Sequence, residues 1–192
     1  GRAWNSAGQP DTARPLFAAA WDLAREAGED GLAVDAAHMI AIVAPPAEQM
    51  AWNERALALA EASDSPAAQR WRGSLYNNMG WTYHDQGRYT EALALFERAR
   101  AWRESRPDST PHQVRIARWA VARALRSLGR TAEALAQQQA LATGYPDLPP
   151  DGYVDEEIAE CLLLLDGPAT AQPAAARAYA LLAADPWLRE QE

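Results

Sequence analysis

Three histidines, His38, His84 and His112, and one cysteine, Cys161, are the side chains of this sequence best suited to ligate a metal or carry a nucleophile. His84 is followed by Asp85, and Asp35 lies one helical turn before His38. Two imidazoles and two carboxylates would suit a divalent cation if the fold brought them together. No pair of histidines has the HExxH spacing, and the plainer reading is polar groups along a surface. A second cluster is acidic: Glu156, Glu157 and Glu160 stand in DEEIAE. Neighbouring carboxylates do acid–base work when their environments separate their pKa values. At a helix start they more simply favour the positive end of the dipole. The lone Cys161, inside ECLLLL, reads as a buried thiol with no disulfide partner in the chain. Neither GxxxxGK[ST], GxGxxG nor GxSxG occurs, so the pattern predicts no catalysis, no resident metal and no cofactor.

Composition narrows the partners. The 192 residues carry 26 acidic and 18 basic side chains, for a net charge of −8. Every basic residue is Arg. Nucleic acid is disfavoured, because binding a phosphate backbone needs a basic surface. Hydrophobic residues make up 48%, enough for a substantial core. No apolar run reaches the ~20 residues of a membrane helix. The opening GRAWNSAGQPD lacks the charged-then-apolar order of a signal peptide, which makes a cytoplasmic location the expectation.

The elements that must position these residues repeat along the chain. GRYTEALALF at 87–96 aligns with GRTAEALAQQ at 129–138 and with GQPDTARPLF at 8–17. AEQMAWNERAL at 47–57 and GPATAQPAAARAYALL at 167–182 are weaker copies. Within a copy the apolar residues recur at three- and four-residue steps, as Leu75, Met79, Tyr83 and then Ala92, Leu95, Phe96, Ala99. Gly87 falls between two helical runs, where a left-handed residue ends a helix. Gly80 lies on the apolar stripe, and Ala37, Ala122 and Ala159 take its place in other copies, so a small residue there admits a neighbouring helix. Ala44 and Asp166 stand where other copies have the turn glycine. Pro- and Asp-rich breaks at 64–66, 106–111 and 144–152 separate the copies. Ser109 or Thr110 can cap the helix that follows.

Gly80, Tyr83, Gly87, Ala92, Phe96 and Ala99, with Pro107 beyond, resemble the tetratricopeptide repeat. The 42- to 43-residue spacing resembles the long-helix type of kinesin light chains and bacterial regulatory proteins. The resemblance implies an all-α fold, a right-handed α-solenoid of four to five helix-turn-helix hairpins. It implies one array over 1–192, with units near 1–28, 31–62, 69–106, 111–146 and 152–184. The first unit lacks most of its leading helix, and truncation of a longer chain is the favoured reason.

The same resemblance implies a concave groove lined by the first helix of each hairpin. By alignment it places Val34, Asp35 and His38 there from one unit, and Ser74, Asn77, Asn78, Trp81 and His84 from the next. Trp119, Arg123 and Arg126 follow, then Tyr153, Glu156 and Glu160. Asn77 and Asn78 can pair with a peptide backbone, and Trp81 and Trp119 can anchor apolar side chains. Arg123 and Arg126, three apart, could hold a carboxylate, or could pair with Glu156 and Glu160 instead. Trp21, Trp52 and Trp102, on second helices, read as packing or convex-face residues. The leading expectation is a non-catalytic scaffold for a protein or peptide segment with an acidic or C-terminal carboxylate. Self-assembly as a homodimer or larger stack is the alternative, and a metal enzyme at His38/His84 is the remaining one.

Overall fold

The apolar three- and four-residue periodicity becomes a succession of helices. The computed structural model describes residues 1–184, so positions 185–192 of the expected array lie outside the described residues. The helices, in order, are α1 Arg2–Ser6, α2 Pro10–Glu26, α3 Asp30–Val43, α4 Pro46–Ala62, a one-turn α5 Pro66–Gln69 and α6 Arg72–Asp85. They continue as α7 Tyr89–Ser105, α8 Pro111–Ser127, α9 Thr131–Thr143, α10 Gly152–Leu165 and α11 Pro168–Leu182. The fold is all-α, with no strand among the described residues. The chain divides into two compact units, one over 1–82 and the other from Tyr83 onward.

In the first unit α3 packs against α2 on one side and α4 on the other. Its core gathers Ala13 and Phe17 from α2 with Met39, Ile40 and Val43 from α3. Trp21 and Trp52 pack against that core and meet edge to face, their ring centroids 5.8 Å apart. Arg25 lies over Trp21 and Arg55 over Trp52, so the guanidinium groups shield the outer ring faces. The expected packing role of these two tryptophans holds. Between α3 and α5 the backbones approach closely: a methyl added at Gly31 would sit 2.7 Å from the Ala67 Cβ.

In the second unit α8 packs on α7 and α9, and α10 packs on α9 and α11. Leu141, Val154, Ile158, Ala159 and Ala174 form a core, with Trp119, Leu135, Tyr145 and Leu162 against it. The expected turn glycine is seen directly. Gly87 has φ +73°, and the amide N–H of Arg88 donates back to the Tyr83 carbonyl at 2.9 Å. The expected small positions are all buried: Gly80, Ala37, Ala122 and Ala159. Thr110 caps α8 in a reciprocal box, accepting from the Gln113 amide while the Gln113 side chain accepts from its own. In the last hairpin Asp166 stands where Gly87 stands in α6–α7, two residues before the next helix, but with φ −124°. The positive φ passes to Gly167, the N-cap of α11, at +88°.

Candidate functional site

In the first unit the expected surface residues come from α3 and α6. His38 lies on α3 with its ring 5.3 Å from that of Trp71. Burial pulls its pKa down, opposed in part by Asp35 and aided by Arg2. Its Nδ1 is buried and meets no hydrogen-bond partner, as does the Oδ1 of Asn77. Asp35 is ion-paired with Arg2. The Asn78 carbonyl accepts from the Thr82 hydroxyl at 3.1 Å, and Trp81 is half-buried.

In the second unit α8 and α10 lie alongside each other and bring most of the remaining candidates together. Trp119 donates its indole N–H to the Tyr153 carbonyl at 3.2 Å, and the two rings meet edge-on at 6.3 Å. One turn further, Arg123 and Arg126 both converge on Glu157. Arg126 donates to both Glu157 oxygens, at 2.8 and 2.9 Å, and Arg123 reaches one of them at 3.0 Å. The Glu157 side chain is only 4% exposed. Arg126 also approaches Glu160 at 3.5 Å. Ser127 closes the network: Arg123 donates to its hydroxyl at 2.6 Å, and His84 Nε2 lies 2.9 Å from the same oxygen. The Ser127 hydroxyl in turn donates to the Arg123 backbone carbonyl at 3.3 Å. Burial and the Arg123 charge lower the His84 pKa and so favour its neutral imidazole. Glu156 is exposed, and no described residue forms an ion pair with it.

Three readings of the sequence are decided here. Arg123 and Arg126 are not an open carboxylate clamp, and of the two alternative partners only Glu160 is approached, by Arg126; their principal partner is Glu157, which lay outside the groove candidates. A signal for it existed. Glu157 falls on the same stripe as Val154, Ile158 and Cys161, and a carboxylate on a buried stripe has to be paired. The two-histidine alternative gains no support: no three potential ligands among His, Cys, Asp and Glu of the described residues are grouped to hold a metal ion. His84 turns to Ser127 and His38 to Trp71 instead. The third concerns DEEIAE, whose members do more than favour the helix dipole, since Glu157 is an internal ion-pair partner. Cys161 is fully buried, and burial together with Glu157 pushes its thiol up to about 11, leaving it protonated and unreactive.

Residues 71–146 match the family model described as the tetratricopeptide repeat. Among solved structures, a protein described as a kinesin light chain with nearly identical TPR-like repeats, from Podosopora anserina, is 17% identical. That match covers 95% of this chain and 91% of the other, at a TM-score of 0.72. A variant of the same protein gives 0.73. MamA of MSR-1 is 19% identical over 93% of this chain and 98% of its own, with a TM-score of 0.53. MamA of AMB-1 is 20% identical over 94% and 98%, again at 0.53. No curated protein matches the chain.

Proposed function

We propose that this chain, a tetratricopeptide-repeat protein, is a non-catalytic scaffold that binds a segment of a protein partner along its first helices. Repeats of this kind serve generally as protein–protein interaction modules, and stacking their hairpins leaves an extended surface that no single unit needs for its own core. The observation that carries the reading is the α8–α10 face. Trp119 is held against the core while Tyr153 and Ile116 beside it remain 41% exposed. Aromatic groups fixed from beneath and open above present apolar area at little ordering cost. A partner carboxylate at Arg123, the arrangement its residue type suggests, would have to displace the buried Glu157 first. That would strand a desolvated charge, which costs several kcal/mol.

The test is affinity capture on the wild-type chain beside Glu156→Arg and Tyr153→Ser. Captured proteins are identified by mass spectrometry and their affinities remeasured with purified components. A partner whose Kd weakens at least tenfold in both variants supports the reading. Partners held equally by all three chains place binding elsewhere on the molecule.

Self-association is a second reading, and exposed apolar groups on the last hairpin favour it. Leu164 is 61% exposed and Tyr179 76%. Light scattering at two concentrations tests it: a mass that rises with concentration and reverts in Leu164→Glu/Tyr179→Glu supports stacking. A constant monomer mass rejects it.

A further inference from the structure

The charge on the α8–α10 face is lopsided once its internal pairs are assigned. Two guanidinium groups, Arg123 and Arg126, stand against three carboxylates, Glu156, Glu157 and Glu160. Both guanidinium groups are committed to Glu157, and Glu160 receives only the 3.5 Å approach from Arg126. Glu156 has no ion-pair partner among the described residues. His84 adds no charge at neutral pH, because burial and Arg123 keep it neutral. The surface therefore carries one negative charge in excess, and it carries it on exposed groups. Burial, with the like charges of Glu157 and Glu160, holds the Glu156 carboxyl above its usual range. An incoming cation relieves that repulsion, whereas an incoming carboxylate adds to it.

Position along the helix sharpens the match. Tyr153, Glu156 and Glu160 recur at three- and four-residue steps on α10, so they face the same way. From Tyr153 to Glu160 the helix rises about 10 Å at ~1.5 Å per residue. An extended segment spans that distance in about three residues at ~3.3 Å each.

We propose that the α8–α10 face binds a cationic peptide segment of a protein partner. An aromatic or aliphatic side chain packs on Trp119, Tyr153 and Ile116, and a Lys or Arg about three residues away lies between Glu156 and Glu160. The apolar end supplies buried area and the acidic end supplies sign and register. This assignment rests on the scaffold reading above and names the chemistry of the partner.

The test pans an unbiased library of displayed peptides on the full chain and ranks the selected sequences on two variants. Glu156→Arg/Glu160→Arg reverses the acidic pair, and Glu156→Arg alone leaves the Arg126–Glu160 contact in place; thermal melts confirm that each is folded. The expected result is enrichment of sequences with an aromatic or aliphatic residue about three positions from Lys or Arg. Their synthetic versions should lose at least tenfold in affinity on the double variant and weaken as salt rises. Enrichment of acidic or uncharged sequences, or cationic ones that bind both variants as tightly as the wild type, overturns the cationic assignment and leaves the scaffold reading standing. No enrichment on the wild-type chain overturns both.

Discussion

Gln138 occupies, one repeat later, the place that Phe96 holds in α7, and both side chains are fully buried. Neither end of the Gln138 amide finds a hydrogen-bond partner. A buried amide without partners costs its desolvation and returns nothing. Gln138→Leu, close in volume and without polar atoms, should therefore raise stability by about 1–2 kcal/mol. Urea unfolding measures this, and a lower midpoint for the substituted chain would mean that the amide is satisfied in solution. Glu157 is the opposite case, a buried charge whose partners are complete. Glu157→Ala leaves Arg123 and Arg126 facing each other without their counter-charge, at a cost of about 3 kcal/mol. Replacing all three with apolar residues of similar volume should restore most of that loss. A single variant as stable as the wild type would show that solvent replaces Glu157 at no cost.

Helix ends decide how firmly the candidate face is held. The α8 helix, which carries Trp119, Arg123 and Arg126, begins at the Thr110 capping box, and Thr110→Ala should cost about 1 kcal/mol. Ser109→Ala should cost little, since Thr110 makes the capping bond. Comparing their thermal midpoints separates the two: equal losses would place the cap at Ser109 or share it between them. At Gly87 an added methyl would meet no atom within 4 Å, so the cost of Gly87→Ala is purely conformational. The left-handed backbone there makes that cost about 1 kcal/mol or slightly more. A neutral result in urea would mean that the turn relaxes to another geometry.

Across the whole molecule, two histidines give stability a pH dependence of known sign. His38 and His84 both have pKa values below the ordinary 6.5, burial being the larger cause in each. Between the lowered folded values and 6.5 the unfolded chain binds more protons than the folded one. Stability is therefore full above pH 6.5 and falls as the pH drops below it, levelling once both folded values are passed. Urea midpoints at pH 7.5 and about 1.5–2 units lower should differ for the wild type and converge in His38→Gln/His84→Gln, apart from the carboxylate contribution common to both. An undiminished pH slope in the double variant would move its source to the carboxylates. No described helix is long and apolar enough to cross a membrane.

The sequence by itself determined the all-α repeat fold, the turn at Gly87, the small buried positions and the cap at Thr110. Each of these is a local matter: the period of the apolar residues, the backbone freedom of one glycine, and a side chain reaching its own backbone three residues on. What it left open was pairing across helices. The pairing of Glu157 and the role of Ser127 were not legible because their partners lie on α8 and α6, some 31 to 43 residues away in the chain. Only the tertiary structure decided that Glu157 would occupy both arginines, and with it the sign of the charge left facing outward. That sign is a balance among side chains on separate helices, and no periodicity along one helix encodes it.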